Sequence, residues 1–261
     1  KFSKEAARLN TLDKIDYDKV MDMFKQQFSN PGSFVFTFVG NIDEDKVKPV
    51  VEQYLASLPG EAVDGDFTKV PMDLKGGKQE NVFKRQMQNP KASVFIATTG
   101  TMERTQRNSI LMSMFDQVLD IVYTEKVRED EGGTYGVHSS GSIGRYPEGQ
   151  TLLQIMYDTD PTKVDDLNVI IHRELNSIAE NGPRAEDFSK VKEYMLKQQS
   201  ESLRENSYWL GVLSTKYFYG EDTYSEYLDI VKSITAQDVQ DFAKEFLSQG
   251  NEAIIVMLPQ E

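Results

Sequence analysis

The sequence predicts an α+β protein built on a mainly antiparallel sheet with helices packed on one face. Two observations carry that prediction. The strand candidates are few and adjacent, and the helices are grouped after them rather than alternating with them one for one. The helix expected after Thr101 has a wide apolar stripe (Leu111, Met114, Phe115, Val118, Ile121 and Val122), the pattern of a helix buried on a sheet.

Taken in order, Asp16 is a good helix cap, and Tyr17, Val20, Met21, Phe24 and Phe28 follow at helical spacing until Asn30-Pro31-Gly32. Phe34–Val39 is an apolar run broken only by Thr37, which predicts a strand buried on both faces. A second helix is expected from Asp43 to Ser57, with Pro49 a turn inside it and an irregular first turn in consequence. Residues 61–79, rich in Pro, Gly and charge, read as a linker. Strands are expected near Val82–Met87 and Ala92–Thr99, then the buried helix to about Val127, then the turn Glu129-Asp130-Glu131-Gly132-Gly133. Tyr135–Ile143 and Gln150–Tyr157 read as two strands. The remainder is helical: 164–178 stopped by Asn181-Gly182-Pro183, a long helix from Ala185 towards Tyr219 with a break at Gly211, short helices at 224–232 and 236–247, and a last strand at 252–258.

The length, 261 residues, allows one large domain or two small ones at about 100–200 residues each. Acidic residues outnumber basic ones 42 to 29, and a net charge of −13 leaves no basic footprint for nucleic acid or an anionic membrane. No stretch approaches the roughly 20 apolar residues of a membrane span. Lys1–Asn10 has no apolar core of a signal peptide, so an export signal is expected to be absent or removed. With no Cys there are no disulfides, thiolate ligands or Cys nucleophile.

Ile15–Val39 and Ile234–Leu258 align without gaps at an offset of 219 residues, each reading cap, amphipathic helix, turn, apolar strand. As a repeat, it implies that the chain opens with the last units of one αβ domain and continues through a second copy.

The chemistry on offer is narrow. His138 and His172 are the only histidines, and neither has a second His at helical zinc spacing, so both read as structural or solvated. There is no nucleophile elbow and no phosphate-binding loop. The acidic run 129–131 reads as solvated surface. One constellation remains. Arg128 ends a buried helix, two glycines allow a tight return, and Tyr135 opens a strand. Guanidinium and phenol at one end of a sheet can hydrogen-bond a carbonyl oxygen and favour its negative charge during attack. The plainer reading is that Arg128 complements a helix C-terminus and Tyr135 is an amphipathic strand residue.

Those residues resemble the pitrilysin/insulinase family of zinc metallopeptidases, the inverzincins, and specifically their noncatalytic C-terminal domain: a buried helix, Val127-Arg128-Glu129, a Gly-containing turn, and a Tyr seven residues after the Arg. Phe38-Val39-Gly40-Asn41-Ile42-Asp43, Leu58-Pro59, Asp158–Val164, Gly182-Pro183 and Asn206–Leu210 also resemble family segments. The resemblance implies a parent enzyme of four such domains closing over a chamber. Its first domain holds zinc in His-x-x-Glu-His plus a distal Glu, and Arg128 and Tyr135 of this chain bind the substrate backbone and help stabilise the tetrahedral intermediate. No His-x-x-Glu-His occurs here, so the chain is expected to bind no zinc and to be inactive alone.

The expected organisation is therefore 1–60 as the end of a preceding αβ domain, 61–79 as linker, and 80–261 as a complete C-terminal domain. Expected partners are the N-terminal half of the same polypeptide and a peptide or unfolded-protein substrate. The run 34–39, an apolar strand without its sheet, is expected to dock on a neighbouring molecule, as in a dimer, or on this domain's own surface. Resemblance alone points to the periplasm. The rival readings are a scaffold subunit of the same fold that has lost catalysis, and a free-standing peptide-binding module, which leaves the repeat unexplained.

Overall fold

Strand β2 (Ala92–Thr101) organises the sheet, because its side chains alternate between a closed and an open face. Val94 and Ile96 point into the core beside Ile155 and Tyr157 of β4 (Gln150–Thr159), to which β2 is antiparallel. On its other side β2 pairs antiparallel with β5 (Asn251–Pro259), and β5 pairs parallel with β1 (Lys78–Arg85). β3 (Thr134–Ile143) closes the opposite edge against β4, giving five strands in the order β1-β5-β2-β4-β3. Every pairing is antiparallel except β1 with β5. The computed structural model describes residues 12, 14–61, 76–130, 134–146 and 148–260.

Helices cover one face. They are α3 (Gln106–Tyr123), α4 (Val164–Asn181), α5 (Ala185–Ser202), α7 (Tyr227–Ser233) and α8 (Ala236–Ser248), following α1 (Tyr17–Phe28) and α2 (Glu44–Tyr54) and interrupted by α6 (Asn206–Tyr219). Phe115 of α3 meets Phe242 of α8 edge to face at 6.4 Å. Phe115, Leu119, Leu153, Ile155, Ile171 and Phe246 are wholly buried in a single core that spans the sheet and its helices. The α+β architecture, with a mainly antiparallel sheet backed by helices on one side, is the one expected.

The chain divides into two compact units, residues up to 69 with 206–221, and 70–205 with 222–261. The second contains the whole sheet. In the first, Asp16 caps α1 by accepting from the Lys19 N–H, and Phe24, Phe28, Phe34 and Phe36 form a file of ring contacts. The expected strand 34–39 is extended at Phe34 but joins no ladder among the described residues. Phe36 and Phe38 are about half exposed (46% and 55%). A strand needs a neighbour to satisfy its backbone groups, and sequence hydrophobicity does not supply one.

Three element boundaries differ from expectation. β1 starts at Lys78, inside the stretch read as linker, because its register with β5 begins at Glu252; residues 62–75 of that linker lie outside the described residues. α2 runs as one helix from Glu44 to Tyr54 without the irregular first turn expected, with Pro49, the sixth of its eleven residues, removing one interior backbone donor. The long helix breaks at 203–205 and not at Gly211, because there the chain passes from one compact unit to the other, and a helix tolerates one Gly at about 1 kcal/mol.

Candidate functional site

Helix α3 begins at Thr105, whose hydroxyl accepts from the Asn108 N–H at 3.0 Å. It runs buried along the sheet to Tyr123, which is wholly enclosed and donates from its hydroxyl to the Ile171 carbonyl of α4 at 3.3 Å. Beyond Tyr123 the backbone widens into a π-helical turn, Thr124–Asp130. Such turns are uncommon and concentrate at functional sites. Val127 is wholly buried on one side of this turn. Glu125 meets Arg184, at the foot of α5, at 2.6 Å on another. Arg128 follows Val127 in the same turn. The glycine turn 131–133 lies outside the described residues.

The chain resumes as β3 at Thr134. Thr134 aligns with Thr159 and Val137 with Tyr157, so β3 advances three residues while β4 advances two. The extra residue makes a bulge across Tyr135-Gly136 on an edge strand, an irregularity that re-aims side chains and is common beside active sites. Three residues past the bulge, Ser139 ties β3 back to α3: its hydroxyl lies 2.6 Å from Asp116 Oδ1 and 2.9 Å from Asp120 Oδ1, and its N–H donates to Asp120 Oδ1 at 3.2 Å. Gly141 passes so close to α3 that a Cβ there would press on Met112.

The electrostatics of this corner are acidic. Burial raises Asp116 above the usual carboxylate range, against the lowering bond from Ser139. Burial also holds the Tyr123 phenol well above its ordinary value. Glu125 goes the other way, down to about 2, chiefly through its hydrogen bond from Arg184. Arg184 is bonded at once to Glu125 and to Asp187, and its own pKa rises further in consequence.

On the open face of the sheet, Phe83, Phe95, Met156, Ile255 and Met257 line a shallow apolar concavity of about 570 Å³, with Gly136 and His138 beside it. His172 is not available as a ligand pair. Its Nδ1 lies 2.7 Å from the Asn168 carbonyl oxygen and its Nε2 2.8 Å from Glu252. Among the described residues no group of three or more His, Asp or Glu side chains is disposed to hold a metal ion.

Of the two residues singled out from sequence, Arg128 lies in the π-helical turn and Tyr135 at the bulge. The groups that hold those irregular segments, Glu125 with Arg184 and Ser139 with Asp116 and Asp120, were missed. Arg184 is 59 residues from Glu125, and no local pattern marks such a pair.

A helix-backed, mainly antiparallel sheet, with a buried helix that runs into a π-helical turn holding Arg128 and an edge strand that starts at Thr134 and bulges at Tyr135, is the architecture of a domain of the pitrilysin type. Residues 14–195, more than two thirds of the chain, match the family profile described as the peptidase M16 inactive domain. The chain belongs to that family. It is similar to the zinc protease PQQL-like of Arabidopsis thaliana (22% identical over 219 residues, 78% of this chain and 23% of that one) and to the probable zinc protease PqqL of Haemophilus influenzae (25%, covering 79% and 22%). It thus spans under a quarter of the length of these relatives. Among solved structures, the fold matches the periplasmic protease PqqL of Escherichia coli with a TM-score of 0.79 at 18% identity over 98% of this chain and 28% of that one. It matches the ferredoxin protease FusC, seen in complex with Arabidopsis ferredoxin, with a TM-score of 0.77 at 16% identity and the same coverage. A peptidase M16 inactive domain from Pseudomonas fluorescens matches at 0.64 and 19%, over 85% and 53%. No helix among the described residues is long and apolar enough to cross a membrane.

Proposed function

We propose that this chain is the substrate-holding, noncatalytic C-terminal part of a zinc-dependent endopeptidase. Its Arg128 and Tyr135 engage the backbone of an extended peptide or unfolded segment and stabilise the oxygen that becomes negative during attack. The observation that carries this reading is local geometry in a chain of this family. Arg128 and Tyr135 sit seven residues apart on two backbone irregularities, a π-helical turn and a β-bulge, flanking one connection at the sheet edge. A guanidinium and a phenol supply N–H and O–H donors, the groups an oxyanion needs.

The zinc belongs to the N-terminal part of the same polypeptide, which is also the partner of this domain. There it supplies the activated water, and this chain's residues bind and orient the peptide. The organisation 1–60, 61–79 and 80–261 is supported by matched capping. Asp16 accepts from Lys19 and Thr235 from Asp238, each three residues ahead, at the same 219-residue offset as the sequence repeat. β5, the counterpart of 34–39, lies between two strands. The run 34–39 accordingly takes its neighbours from outside this chain, in the preceding domain or across a dimer. A periplasmic location rests on the likeness to the E. coli protease.

The test is Tyr135→Phe and Arg128→Ala in the full-length polypeptide, assayed on an unstructured peptide. Each should lower kcat by about tenfold or more, as loss of an oxyanion donor does. Unchanged kcat/KM in both would sink this role and leave the scaffold reading.

A further inference from the structure

We infer that Arg184 is a positioning residue for the peptide-binding corner, acting through Glu125 to set the π-helical turn that carries Arg128; this rests on the role proposed above for Arg128.

The argument starts from the loop between α4 and α5. Gly182 adopts φ +78°, a torsion that L side chains resist, and Pro183 fixes the next step, so Arg184 enters α5 from a set direction. Three residues on, Asp187 is wholly buried (0% exposed). Its Oδ2 accepts from Arg184 Nε at 2.5 Å, while its Oδ1 has no hydrogen-bond partner among the described residues. A buried carboxylate loses its cationic partner only at a large cost, so the guanidinium is held in place. The guanidinium is a planar fork. With Nε committed to Asp187, its other arm, Nη2, is aimed at Glu125 Oε2, 2.6 Å away.

That contact falls where the helix needs support. A π-helical turn is intrinsically less favourable than the α-helix it interrupts. Here Tyr123 anchors the turn before Glu125 through the Ile171 carbonyl, and Val127 anchors it after by full burial. Glu125 lies between them, partly exposed, held by Arg184 from across the chain and by Lys126 Nζ at 2.8 Å from its own turn. Arg128 is the next residue after the last anchor. A contact that fixes the rotation of this turn therefore fixes where Arg128 starts from, and small displacements of a substrate-positioning group are costly to rate.

Removing Arg184 itself would leave Asp187 buried without its partner and would test folding. The informative variant is Glu125→Ala, which leaves the Arg184–Asp187 pair intact. In the full-length polypeptide, with the unstructured peptide as substrate and the thermal midpoint as a check on folding, E125A should lower kcat/KM by about tenfold. In an R128A background it should do nothing further, because its effect travels through Arg128. An unchanged kcat/KM in E125A, or the same loss with and without Arg128, overturns the inference while the role of Arg128 stands. A silent R128A overturns that role, and this inference with it.

Discussion

Ser139 Oγ lies 2.6 Å from Asp116 Oδ1, a side chain-to-side chain bond that joins the edge strand bearing Tyr135 to the buried helix leading to Arg128. The same hydroxyl is 2.9 Å from Asp120, although it has one hydrogen to donate and two carboxylates to serve. Replacing Ser139 by Ala takes that donor from the partly buried Asp116, while the exposed Asp120 keeps the bond from the backbone N–H of residue 139. The expected cost is about 1–2 kcal/mol, read as a lower urea midpoint with an unchanged slope. A variant as stable as the parent would remove this bond from the account of how β3 is held.

Asp116 makes a pH prediction of its own. Its folded pKa is raised above 3.8, first by burial, so the folded state holds this proton more tightly than the unfolded chain. Its contribution to stability therefore rises as pH falls through the raised value, and at neutral pH its charge is a burden. Asp116→Asn, which keeps an oxygen for Ser139, should melt no lower than the parent at pH 7, with any advantage shrinking as pH falls towards 3.8. Melting curves across that range decide it.

His172 and Glu252 give a window in the middle of the pH scale. Their 2.8 Å contact raises the imidazole above 6.5 and lowers the carboxyl below 4.5, the hydrogen bond being the largest cause of each. The His172 contribution is complete below 6.5 and is lost as pH rises through the folded value. The Glu252 contribution is complete above 4.5 and is lost as pH falls through its depressed one. His172→Gln should thus lower the melting temperature by a few degrees between pH 4.5 and 6.5 and by less at higher pH. A difference independent of pH would mean that packing, and not charge, joins α4 to β5.

Thr235 and Asp238 form a reciprocal capping box at the start of α8. Thr235→Ala should cost about 1 kcal/mol in chemical denaturation. The smaller effect expected of glycine at the same position separates loss of the cap from loss of the side chain generally.

Much of this molecule is legible from local pattern. The stripe Leu111–Val122 reads as a helix on a sheet, and those residues lie in the core. Asp16 reads as a cap and caps. β3 and β4 fall within two residues of where alternation places them, because period and turn chemistry are properties of neighbouring residues. The run 34–39 shows the limit of that reasoning. Apolar composition makes it strand-like, but a ladder requires a second strand, and none in the described chain pairs with it.

The candidate site divides in the same way. The sequence by itself determined that an Arg and a Tyr stand seven residues apart around a glycine turn after a buried helix, and that neither histidine has a partner at zinc spacing. Only the tertiary structure decided that the helix opens into a π-helical turn before Arg128 and that β3 bulges at Tyr135. It alone brought Arg184 to Glu125 and Ser139 to Asp116 and Asp120. The physical reason is range: capping and periodicity act over three or four residues, whereas these contacts join segments 19 to 59 residues apart, which meet only once the core has fixed where each element lies.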